Sequence, residues 1–155
     1  MPLLNLALDV RSGLRTRVRI TVNRATLLKL RATRQAVPQP VIVDAMIDTG
    51  AERSCIDPAV VRRIALPLHA FGFASAPGTN APVIPALGGT AVNAIYQAGL
   101  ALIHPAPHSD LVVPEIVLET LPLAQFGIEA VIERDVLASC VLVYNGPTGS
   151  ATLAY

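Results

Sequence analysis

Between Val41 and Ile56 the chain reads V-I-V-D-A-M-I-D-T-G-A-E-R-S-C-I, an apolar run that drives straight into Asp48-Thr49-Gly50-Ala51 and then turns polar. An apolar run bounded by turn residues is the pattern of a buried strand. A carboxylate at the end of such a strand is costly unless an interaction or a reaction uses it. Catalysis is the use this pattern suggests. Asp48 would be half of a carboxylate pair, Thr49 a hydroxyl that locks the loop, and Gly50 a residue small enough to admit another backbone. Two carboxylates about 3 Å apart cannot both ionise, so they share a proton and activate a water molecule.

Such a pair needs two aspartates, and no second Asp-Thr-Gly or Asp-Ser-Gly occurs in the 155 residues. The other must come from a second copy of the chain. A two-fold axis sets Asp48 against Asp48, because an isologous interface pairs a residue with its own mate. A homodimer is therefore the expected assembly.

A second segment, Ala130-Val131-Ile132-Glu133-Arg134-Asp135-Val136-Leu137, runs from apolar residues into Arg-Asp and a short helix. Together with Val41–Ala51, and in this order and spacing, it resembles the two signatures of the retropepsin-like aspartic proteases, which include retroviral proteases and bacterial relatives. The resemblance runs in outline from Pro38 to the C-terminus, with strong identity only in the two motifs. It implies an all-β fold, a closed barrel or sandwich half with short helices, two copies of which form the active site. The implied activity is that of a homodimeric aspartic endopeptidase hydrolysing peptide bonds in extended, apolar polypeptide.

The resemblance also distributes roles. Asp48, Thr49 and Gly50 are the expected catalytic loop, and Ala51, Glu52 and Arg53 are expected to pair with substrate backbone. The small-residue and proline stretch Ser75–Gly89, with Pro77, Gly78, Gly88 and Gly89, resembles a flap over bound peptide. Glu133, Arg134 and Asp135 are expected as structural support, with Arg134 pairing with Glu52. Glu133 stands where the family carries glycine. Its side chain is expected either to push the Asp48 loop or to point to solvent beside Arg134. That departure keeps open a weakly active or inactive dimerisation or peptide-binding module. A self-processing element is a third reading, and a chain that begins at Met1 argues for a complete protein instead.

Length and composition frame the rest. At 155 residues the chain is expected to be one domain. Its 13 prolines and 10 glycines punctuate short apolar segments, which favours strands over a helical bundle. The net charge of +1 gives no general affinity for nucleic acid. Eight cations crowd the first 34 residues against Asp9 alone, yet Arg15–Val22 alternates polar and apolar, so residues 1–37 read as basic strands rather than a nucleic-acid arm or transit peptide. The N-terminus lacks the apolar core of a secretory signal, and no apolar stretch reaches about 18 residues. No membrane partner and a cytoplasmic location are the expectations.

No cofactor or metal is expected. Cys55 and Cys140 read as small buried apolar residues, and His69, His104 and His108 sit among prolines, with two prolines forbidding a helix across His104–His108. Gly88-Gly89 is not followed by Lys-Ser/Thr, so it is no phosphate loop.

Strands are predicted at Leu3–Val10, Leu14–Asn23, Leu27–Ala32, Val41–Ile47, Leu68–Ala74, Thr90–Ile103, Leu111–Leu118 and Ile128–Ile132. Asp57-Pro58 predicts a capped helix through Ile64. Asp135 is expected to cap Val136–Cys140. Val141–Tyr144 and Ala151–Tyr155 should form a terminal hairpin, its last strand supplying the edge for the second copy.

Overall fold

Alternation along two neighbouring strands builds the wall that carries Asp48. The computed structural model describes residues 2–9, 13–66, 68–73, 92–105 and 108–155. In chain order its strands are β1 (Leu3–Asp9), β2 (Gly13–Val22), β3 (Val41–Ile47), β4 (Cys55–Ile56), β5 (Leu68–Phe73), β6 (Val92–Leu102), β7 (Leu111–Thr120), β8 (Ala130–Ile132), β9 (Val141–Asn145) and β10 (Ser150–Ala154). In β2, Leu14, Val18, Ile20 and Val22 are buried, and the arginines between them are partly or fully exposed. β3 pairs antiparallel with β2, Ile47 opposite Leu14, and sends Val43, Ala45 and Ile47 into the same core. The period of two that the sequence shows is thus the period of burial.

Six strands close on themselves in the order β2, β3, β8, β4, β7, β6 and back to β2. The fold is mostly β, a closed barrel with few short helices. β3–β8 and β4–β7 run parallel, and the other pairs in the ring run antiparallel. The seam between β2 and β6 depends on Gly99, opposite Thr21. A Cβ there would lie 2.5 Å from Thr21 Oγ1 and 3.2 Å from the Val22 carbonyl, so a side chain would hold the two strands apart. β5 extends the sheet beyond β6, and β1, β10 and β9 extend it beyond β2.

Among the described residues three α-helices interrupt the strands: α1 (Arg24–Ala32), α2 (Pro58–Ile64) and α3 (Arg134–Leu137). The strand expected over Leu27–Ala32 is therefore a helix. The Asn23 side chain accepts from the Thr26 N–H at 2.8 Å, an N-cap, and the leucines, lysine and arginine that follow are good helix formers. No residue of α1 is buried, so the barrel does not override that local preference. Residues 1–37 accordingly contain two strands and a helix. α3 also differs from expectation, since it begins at Arg134 and Glu133 occupies the N-cap position. Asp135 lies inside the first turn, its carboxylate turned toward Ser54.

The terminal hairpin forms, but its last strand is no free edge. β10 pairs with β1 on one side and β9 on the other, and Ala151, Leu153 and Ala154 are buried within the protomer. Among the described residues no strand pairs with the outer side of β9, where Val141, Val143 and Tyr144 are exposed. Among the described residues no helix is long and apolar enough to cross a membrane.

α2 starts as expected, with Asp57 as N-cap and Pro58 at its first position, and buries Val60, Val61 and Ile64. Asp57 does more than cap. Oδ1 accepts from the Ala59 N–H at 2.8 Å, and Oδ2 accepts from the Leu123 and Ala124 N–H groups at 2.9 Å each. Burial alone would raise its carboxyl, but these bonds and Arg62 outweigh it and hold the group below its ordinary value. Its contribution is present at neutral pH and lost as pH falls through the lowered value. Asp57→Ala removes the cap and strands two N–H groups, so urea unfolding should show a loss of about 2–4 kcal/mol at neutral pH that narrows in acid.

Candidate active site

Asp48 leaves β3 on the side opposite Val43, Ala45 and Ile47, and it is exposed. The sequence reading placed it at the end of a buried strand; within one protomer its carboxylate is not buried. Its N–H donates to the Ile132 carbonyl at 2.9 Å, and its Oδ1 accepts from the Gly50 N–H at 2.9 Å. Among the described residues no hydrogen bond reaches Oδ2. Thr49 is exposed, and its hydroxyl has no partner among the described residues. At Gly50 the close neighbour is Asp48 itself rather than another backbone, since a Cβ would lie 3.3 Å from Asp48 Oδ1.

The lock comes from the second motif. After Ile132 has taken the Asp48 N–H, Glu133 Oε2 accepts from the Ala51 N–H at 2.9 Å. Arg134 Nε then donates to the Ala51 carbonyl at 2.8 Å. Asp135 accepts from the Ser54 N–H at 2.9 Å and from its hydroxyl at 2.6 Å. The same Ser54 Oγ accepts from the Glu133 N–H at 3.0 Å, with Ser54 wholly buried. Residues 132 to 135 thus each hold a point of the loop from 48 to 54. Glu133 points inward and is buried, which decides between the two orientations open in the sequence. Burial pushes its carboxyl up. The Ala51 N–H opposes this, Asp48 and Asp135 add to it, and Arg134 offsets part.

Two expectations change with this geometry. Arg134 bonds the Ala51 carbonyl, and no Arg134–Glu52 ion pair forms among the described residues. The Ala51 N–H, expected to meet substrate, already meets Glu133. Glu52 and Arg53 are exposed, and together with Glu115, Val117 and Asp135 they line a groove of ≈ 360 Å³. Asp48 does not line it; the groove starts at the far end of the loop, at Glu52 and Arg53. Pro77, Gly78, Gly88 and Gly89 lie outside the described residues.

Ser54 and Glu119 are site residues that the sequence reading missed. Glu119, next to last in β7, is buried and pairs with Arg53 at 3.1 Å, while its N–H donates to the Ser54 carbonyl at 3.2 Å. A polar residue next to apolar Cys55-Ile56, and a glutamate closing the apolar run of β7, were the available signals.

This arrangement sits on a fold seen before. The crystal structure of a retropepsin-like aspartic protease from Rickettsia conorii aligns with 99% of this chain and 91% of its own, with a TM-score of 0.57 and 9% sequence identity. No protein-family model matches the chain, and no curated protein matches it in sequence. The fold is therefore retropepsin-like, as the two motifs implied, and at that identity the likeness speaks for fold alone.

The cysteines follow from burial. Burial, then the nearby Glu119, Glu133 and Asp135 carboxylates, push the Cys55 thiol up to about 12. A nucleophilic cysteine needs the opposite shift. Cys140 is half-buried and is raised by burial alone. Among the described residues no three His, Cys, Asp or Glu side chains converge as metal ligands would. Iodoacetamide at pH 8 should alkylate Cys140 well before Cys55 in folded protein, read by peptide mass mapping. Cys55 reacting first would mean that the Asp48 loop opens readily.

Proposed function

We propose that the chain is an aspartic endopeptidase that works as a homodimer, one Asp48 from each copy forming the catalytic pair. The observation that carries this reading is the placement of Asp48. It stands exposed at the end of β3 with its backbone fixed to Ile132, on a retropepsin-like fold, in a chain with one such motif. In the pair one carboxylate takes a proton from water while the other donates to the scissile carbonyl. Gly50 holds Oδ1 of each Asp48 by its N–H. Extended peptide lies along Glu52 and Arg53 in the groove they begin, and residues 75–89 take the covering role that their resemblance implies. The β9 edge, with Val141, Val143 and Tyr144 exposed, is where a second copy adds its strand, since an apolar edge is a liability unless paired.

A peptide-binding or dimerisation module without turnover is the second reading. The occupied Ala51 N–H favours it, because one donor expected for substrate is already used.

Asp48→Asn separates the two. An amide of the same shape cannot act as general base, so cleavage of an apolar peptide library at acidic pH should fall by at least about a thousandfold, with folding unchanged by circular dichroism. Equal activity in the two proteins would end the aspartic reading. In a sedimentation series Val143→Lys should leave monomer where wild type is dimeric, and an unchanged dimer would move the seam elsewhere.

A further inference from the structure

Glu133 is a buried, ionisable side chain that reaches the backbone of the Asp48 loop at Ala51, three residues from Asp48. Its own backbone is fixed on both sides. The N–H donates to Ser54 Oγ, and the carbonyl accepts from the Val136 and Leu137 N–H groups at 3.1 and 3.0 Å, which starts α3. From that anchor the side chain spans to Ala51, and Arg134 takes the Ala51 carbonyl. Ala51, three residues beyond Asp48, is held by both of its backbone groups. The intervening Thr49 has no side-chain bond among the described residues, and Gly50 is held through Asp48 itself.

We propose that Glu133 is a positioning residue for Asp48, acting as a strut whose carboxylate holds the Ala51 N–H and thereby fixes the turn from Asp48 to Ala51. This inference rests on the peptidase reading for its catalytic consequence and on the geometry alone for the strut. The strut is also electrically coupled to what it positions. The groups facing Glu133 are Asp48 on the loop, Arg134 and Asp135 on α3, and the Cys55 thiol on β4. Ionised Glu133 sets a negative charge beside Asp48. Protonated Glu133 keeps its carbonyl oxygen as an acceptor for Ala51 and removes that charge. Burial and the Asp48 and Asp135 charges favour the proton, so the strut neutralises more readily than an ordinary glutamate as pH falls. The sign for stability follows: its contribution is full in acid and declines as pH rises through the raised value.

Three variants test this with two independent readouts. The first is the Ala51 amide resonance followed against pH. In wild type it should show an inflection that disappears in Glu133→Gln and moves to lower pH in Asp48→Asn, where the neighbouring charge is gone. An Ala51 amide indifferent to Glu133→Gln, or an inflection unmoved in Asp48→Asn, overturns the strut. This arm needs no activity, so it stands even if the peptidase reading fails.

The second readout is turnover. Glu133→Ala should lower kcat by at least about tenfold with KM little changed, since the loop loses its hold. Glu133→Gln should recover much of that rate, because the amide oxygen accepts from Ala51, while its pH–rate profile loses the inflection that titration of Glu133 imposes. A buried glutamate of merely architectural importance would leave the Glu133→Gln profile where it is, and that result would overturn the positioning role.

Discussion

The position of Asp48 depends on the docking of one four-residue segment, Ile132 to Asp135, against the loop from 48 to 54. Asp48 is exposed and brings no packing of its own, so its place must be set by its neighbours. Ile132 takes its N–H, Glu133 and Arg134 take the two backbone groups of Ala51, and Asp135 takes Ser54. Each bond contributes on the order of 1 kcal/mol net, more where a charge takes part. The larger effect is that a buried glutamate and a wholly buried serine are left without partners if the segment moves. The register of β3 against β8, Ile47 beside Ile132, sets this docking, so barrel and site share one constraint.

That constraint fixes the turn that carries Asp48. The turn presents the Asp48 carboxylate to solvent, on a retropepsin-like fold. Glu133 sets this site apart. Its carboxylate adds a strut and a charge to the loop at once. Asp57 works in the opposite sense, its contribution falling in acid where that of Glu133 is fullest.

What the sequence disclosed was what short-range rules govern. β3 begins and ends where its apolar run does, α2 runs from Pro58 to Ile64 as Asp57-Pro58 implies, and the terminal hairpin turns across Asn145–Gly149. What it hid depends on partners far along the chain. Ser54 and Glu133 meet across 79 residues and Arg53 and Glu119 across 66, and no local pattern records either contact. Leu27–Ala32 misled for a different reason: leucines at that density suit a strand or a helix, and the cap at Asn23 decided it. β10 looked like a free edge because its apolar residues gave no sign that β1 already covers them.

The central claim is that one catalytic centre is made by two chains, and subunit mixing tests it most directly. Wild type and Asp48→Asn are unfolded together, refolded as mixed dimers in known proportion, and assayed for peptide cleavage. If each centre needs Asp48 from both copies, activity should fall as the square of the wild-type fraction, to about one quarter when half the chains are mutant. Activity that falls in simple proportion, to about one half, would mean that each chain acts alone and would contradict the account.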